Sequence, residues 1–245
     1  IPLFHYSNIP DQIMKNFTKS FLSIASVLVL LWIGCAAHHH NFPIQQMQMP
    51  PGGLTAEQVP MFVSFGTDDN PHSGLEGSGG GGGMHYFTEL FGARKNPDGT
   101  PIHYSFYVNT KYITSEGMED PNFVKQSWKE AYDAGHEIGV HTHSHPHGRD
   151  FSVGKWEKEM QQCIDMLSQT DGLSIPRNEL IGFRTPFLEY GDHTFSAVKN
   201  KNFVYDCSIE EGFQHDADGR NFVWPFLLDH GAPGNLATYK LQDLP

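Results

Sequence analysis

Thiols are scarce in this 245-residue chain. Cys35, Cys163 and Cys207 are too few and too irregularly spaced for a disulfide framework or a thiolate zinc site, so packing must hold the fold together. Positive charge is also in short supply. With 16 Lys plus Arg against 28 Asp plus Glu, the formal net charge is −12, and neither nucleic acid nor an anionic membrane surface is attracted to such a chain. Long apolar runs are confined to Phe21–Ile33, which falls short of the roughly 20 residues that span a bilayer comfortably. Histidine, by contrast, is plentiful. Its 15 copies nearly equal the 16 Lys plus Arg, and several cluster, which raises the expectation of metal ligation.

The apolar run follows Lys15 and Lys19 and begins soon after Met14, the layout of an export signal. Residues 14–34 are therefore read as a signal peptide and residues 1–13 as translated upstream sequence with no part in the fold. Gly34-Cys35-Ala36-Ala37 has the look of a lipoprotein processing site, which would make Cys35 a lipid-anchored first residue in the cell envelope. Trp32 and Ile33 match such a site imperfectly, so ordinary cleavage with release, or an uncleaved anchor, stays open. Residues 35–58, which include the Pro- and Gln-rich stretch His38–Pro51, read as a tether, and 59–245 as one globular domain.

Within that domain short apolar runs alternate with helical patterns. Strands are expected at Met61–Phe65, Ile102–Val108, Glu137–Val140, Leu180–Phe183 and Phe203–Tyr205, and helices at Met84–Phe91, Asn122–Ala134, Trp156–Ser168 and His193–Lys199. That alternation predicts parallel βαβ units. Gly74–Gly83, with five consecutive glycines, is a loop; it lacks the Lys and the spacing of a phosphate-binding loop.

Four expected strands end in polar residues: Asp68-Asp69, His141-Thr142-His143-Ser144-His145-Pro146, Arg184-Thr185-Pro186-Phe187, and Asp206. In a parallel sheet or barrel all such ends lie on one rim and can converge. Two imidazoles at i and i+4, with one carboxylate from another strand, make a three-donor set that leaves a divalent ion one open position for water. Water bound at zinc falls to a pKa of roughly 7, and a second carboxylate beside the site can take its remaining proton. One of the two adjacent acids would be held by the metal while the other stays free, and Arg184 could pair with the free one. Taken alone, Asp-Asp is common in turns and a His pair before Pro is common in loops; the joint occurrence carries the inference. Cys207 has no base placed to activate it as a nucleophile.

Asp-Asp after an apolar strand, His-x-x-x-His-Pro, and Arg-x-Pro-aromatic, in that order, resemble the first three motifs of the carbohydrate esterase family 4 polysaccharide deacetylases (NodB homology). The resemblance runs from about Pro60 to Asp229 and is nearest to animal-type chitin deacetylases and their bacterial relatives; it includes Phe91–Gly99, Gly135–His141, Phe183–Leu188, Tyr205–Ile209 and Trp224-Pro225. It implies a distorted (β/α) barrel, incomplete at its C-terminal end. It further implies metal-dependent removal of N-acetyl groups from N-acetylglucosamine polymers such as peptidoglycan or chitin, with one divalent ion, most simply zinc. By resemblance Asp68 is the general base, Asp69, His141 and His145 the metal ligands, and Arg184 the group that orients Asp68. Pro186 and Phe187 shape the acetyl pocket, the Phe187 N–H helps hold the oxyanion, and Asp206 and Trp224 line the sugar groove. The partner is a polysaccharide, met by a monomer. Two departures stand out. Thr67 replaces the family's aromatic before the acids, and the late catalytic His has no secure match, His230 being a weak one. O-acetyl esterase activity, or an inactive carbohydrate-binding homologue, are the alternatives.

Overall fold

The computed structural model describes residues 50, 53–59, 63–79 and 82–209, with the backbone of 213–214 and 217–218. The export segment, Cys35, Trp224 and His230 lie outside the described residues. Five short strands, β1 (Gly66–Thr67), β2 (Ser105–Val108), β3 (Glu137–Val140), β4 (Gly182–Phe183) and β5 (Tyr205–Asp206), form one sheet in the order of the chain, every neighbouring pair parallel. Helices α1 (Met84–Gly92), α2 (Pro121–Asp133), α3 (Val153–Ser168) and α4 (Asp192–Asn200) form the crossovers. An order that never reverses belongs to a (β/α) barrel, since a doubly wound sheet turns back at a switch point. The α/β class and the barrel type expected from sequence are both found. A short antiparallel pair, β6 (Phe213–Gln214) and β7 (Ala217–Asp218), follows.

The helices form where capping and periodicity agree. Asp120 caps α2 by accepting the Asn122 N–H at 2.9 Å, and Pro121 occupies the first turn, where its missing N–H costs nothing. Val124, Ser127, Trp128 and Ala131 then recur on one face, all buried. Gly135, at φ 86°, takes the left-handed turn that ends the helix. On α3 the buried stripe is Trp156, Met160, Cys163, Ile164 and Leu167. These faces meet Phe106, Val108, Ile138, Val140 and Phe183, the outward residues of β2, β3 and β4, in one apolar core.

The other face of the same strands is polar. Ser105 donates to Glu137 Oε2 at 2.6 Å, the Tyr205 hydroxyl donates to Glu137 Oε1 at 2.6 Å, and the Tyr107 hydroxyl lies 2.8 Å from that of Tyr205. Glycines make room for these rings. A Cβ on Gly139 would stand 2.5 Å from the Tyr107 ring, and one on Gly182 would meet the Tyr205 phenol. Because its hydroxyl is tied to Tyr205, the Tyr107 ring has no easy retreat. Gly139→Ala is expected to cost about 1–3 kcal/mol of overpacking, read as a lower urea midpoint at unchanged m-value.

Boundaries shift where turn geometry intervenes. Of the first expected strand, Met61 and Phe62 lie outside the described residues; Phe65 contributes its carbonyl to Ser105 N at 3.1 Å, and strand pairing covers Gly66–Thr67. Asn202, at φ 55°, turns the chain out of α4, so the last strand falls at Tyr205–Asp206 instead of Phe203–Tyr205.

Candidate active site

The ends of β1, β3 and β4 deliver Asp68, Asp69, His141, His145 and Arg184 to one place on the rim. Asp69 Oδ1 lies 3.0 Å from His145 Nε2 and 3.7 Å from His141 Nε2. One ligand atom from each of these three residues falls within 4.8 Å of the others. Asp68 is not part of that set. Its Oδ2 sits 3.3 Å from Arg184 Nε, and both side chains are partly open to solvent.

Several features make the three-donor set suited to a cation. Asp69 Oδ1 is buried yet has no properly directed hydrogen bond among the described residues, an orphaned acceptor facing two imidazole nitrogens. His141 commits Nδ1 to the Arg184 carbonyl at 2.8 Å, which leaves the Nε2 lone pair pointing at Asp69. Burial pushes the His141 imidazole below its ordinary pKa, toward the neutral form that ligates metals. The neighbouring His145 holds the Asp69 carboxyl below the usual range, against the opposing effect of burial.

The backbone at the site departs from common conformations. Asp69, Asn70, Thr142, His145 and Phe187 all have positive φ, between 54° and 72°. Left-handed non-glycine residues cost on the order of 1–3 kcal/mol each and persist only where neighbours fix them. Here those neighbours are visible. Asn70 donates to the Tyr107 carbonyl at 3.0 Å and accepts from Thr67 Oγ1 at 2.8 Å. Thr67 thus closes the turn that carries both acids. Asn109, at the end of β2, donates to the His141 carbonyl, and the His145 N–H donates to Thr142 Oγ1 at 3.3 Å. Ser144 is tied by its N–H and hydroxyl to Glu159 of α3, each at 2.9 Å.

Pro186 is buried, whereas the Phe187 ring is 52 % exposed at the rim and meets His145 edge-on at 4.4 Å. His147 stacks flat on Phe187 at 3.9 Å and 7°, and its Nδ1 lies 3.1 Å from Glu189 Oε1. His143 bonds Thr110 at 2.9 Å. Asp206 turns both carboxylate oxygens onto Ser208, and burial pushes its carboxyl up to about 6. A raised acid pKa means that ionisation costs stability above about pH 6, a cost absent once pH falls to the ordinary carboxylate range. Metal-free wild type is therefore expected to gain stability relative to Asp206→Asn as pH is lowered from 7 to 5, measured by urea unfolding. Burial likewise raises the Cys207 thiol to about 11, far from a thiolate nucleophile. Asn109 and Tyr107 were absent from the residues singled out by sequence, and Ser208 entered only as part of the Tyr205–Ile209 stretch, with no role given to it. For Asn109 a signal existed, a polar residue closing the apolar β2; Tyr107 carried none of comparable strength.

A polysaccharide deacetylase family model matches residues 99–205, the span from before β2 into β5 that carries His141, His145 and Arg184. Chitin deacetylase 1 of Bombyx mori is 28% identical over 194 residues, 77% of this chain and 32% of that protein. Chitin deacetylase 8 of Bombyx mori is 28% identical over 183 residues, 74% of this chain and 42% of that protein. Streptococcus pyogenes deacetylase PplD shares 17% identity, with a TM-score of 0.46, over 64% of this chain and 61% of its own. Over residues 99–205 the chain is similar to polysaccharide deacetylases. It spans less than half the length of the two curated relatives.

Proposed function

We propose that this chain hydrolyses N-acetyl groups of N-acetylglucosamine units in a polysaccharide, chitin-like or peptidoglycan, using one divalent ion held by Asp69, His141 and His145. The observation that carries the reading is the gathering of those three donors, with a second carboxylate, Asp68, left outside the set and held by Arg184. Mixed imidazole and carboxylate donors favour zinc. When bound, such an ion supplies an activated water and an electrophile for the acetyl carbonyl.

The chain's own residues do the rest. Asp68 takes the proton of the attacking water as general base, a role worth about 10²–10⁴ in rate. Arg184 aims Asp68 through the contact between its Nε and Asp68 Oδ2 at 3.3 Å. Pro186 and Phe187 wall the acetyl pocket, and the Phe187 N–H stabilises the developing oxyanion. Asp206 and Trp224 are assigned to the sugar groove, Asp206 from behind the pocket loop through Ser208. The curated relatives' names support a chitin-like substrate. The lysines and apolar run of residues 14–34 support export, and Cys35 a lipid anchor at the cell envelope.

Acetate release from N-acetylglucosamine oligomers by zinc-loaded protein is the test. Release that a chelator stops supports the amidase. Release only from O-acetylated polymer would replace it with an esterase. Saccharide binding without acetate at any metal loading would leave a carbohydrate-binding homologue.

A further inference from the structure

Behind the three-donor set runs a continuous chain of hydrogen bonds that ends on a charged group. His141 Nδ1–H donates to the Arg184 carbonyl at 2.8 Å. The N–H of that same peptide unit, on Thr185, donates to Ser208 Oγ at 2.8 Å. Ser208 then donates its hydroxyl to Asp206 Oδ2 at 2.8 Å and its N–H to Asp206 Oδ1 at 2.9 Å. His141, Thr185 and Ser208 are all buried, at 1%, 0% and 0% exposure. Every donor in the series faces the same way, from the imidazole toward the carboxylate.

Peptide C=O and N–H are joined by resonance, so a bond made at one end strengthens the other. We propose that Asp206 and Ser208 act through the Arg184–Thr185 peptide as positioning residues for His141, fixing its tautomer and raising the donor strength of Nε2 toward a divalent ion. The inference rests on the three-donor reading of the site and extends it across β4 to the neighbouring β5. In place of a carboxylate on Nδ1, His141 has the Arg184 carbonyl, and the Arg184 side chain lies 3.3 Å from Asp68. Routing the charge through a peptide lets one short segment serve both acids: Arg184 grips Asp68 with its side chain and steadies His141 with its carbonyl.

The test is Co²⁺ affinity of the metal-stripped full chain, read from the visible absorption of the bound ion. Ser208→Ala is expected to weaken Co²⁺ binding by about 10–100-fold, the range typical of groups that orient metal-ligating histidines. Ser208→Thr, which keeps the hydroxyl, should restore most of it. Asp206→Asn should weaken binding in the same direction. As a control, Ser127→Ala removes an equally buried hydroxyl, bonded to Val124 within α2, and should leave the affinity unchanged. In the wild type, the His141 Nδ1–H proton should be seen in the NMR spectrum, slowly exchanging, and should move upfield in Asp206→Asn. Unchanged affinity in both Ser208→Ala and Asp206→Asn, or equal loss in Ser127→Ala, overturns the relay. Failure of wild type to bind Co²⁺ overturns the site reading beneath it.

Discussion

Asp69→Ala is expected to reduce acetate release below about a thousandth of wild type, with the metal-stripped wild type falling equally far. A catalytic metal site keeps three protein donors, and Asp69 is the single carboxylate among the three found here. Removing it leaves two imidazoles as the remaining donors of the set. Loss of even one transition-state donor costs about 10²–10³ elsewhere, and loss of the ion removes both the activated water and the electrophile. Steady-state acetate release before and after chelation, with zinc added back, measures the effect. Recovery of the wild type and no recovery of the variant is the expected pattern. Full activity in Asp69→Ala at saturating zinc would remove Asp69 from the ligand set.

Asp68→Asn is expected to lower kcat by about 10²–10⁴ while leaving metal affinity within a fewfold of wild type. The separation follows from geometry. Asp68 pairs with Arg184 and lies outside the three-donor cluster, so its amide variant keeps the shape and the donor set while losing the charge and the capacity to accept a proton. Parallel kcat and Co²⁺ titrations decide it. A joint loss of affinity would mean that Asp68 ligates the ion; retained kcat would mean that another group takes the proton.

Much of this site was legible in the chain because strand ends announce themselves. Glu137–Val140 is a short apolar run with His141 directly after it, and the helix at Asn122–Ala134 ends on Gly135; both fall within a residue of where they form. The four polar strand ends converge because the sheet is parallel and never reverses. What was not legible depends on contacts between distant residues. The stack of His147 on Phe187 joins positions separated by a strand and a helix, and no periodicity foretells it. The polar inner face, Ser105–Glu137–Tyr205–Tyr107, was hidden because each strand read simply as apolar. Asp206 could be placed at a strand end, but its attachment to Ser208, and through Thr185 to the pocket loop, needed the register of β4 against β5.

The assignment of Trp224 to the sugar groove rests on resemblance. Its test is a chain-length series of N-acetylglucosamine oligomers, in which Trp224→Ala should raise KM more than it lowers kcat.

X-ray absorption at the zinc edge of the loaded full chain addresses the site most directly. One zinc per chain is expected, with two imidazole nitrogens at about 2.0–2.1 Å and an oxygen shell at about 2.0–2.2 Å, and the imidazole signal should fall in His141→Ala and in His145→Ala. Zinc that binds with no imidazole in its shell, or binds equally well when Asp69, His141 and His145 are each replaced, would contradict a centre built from these three side chains.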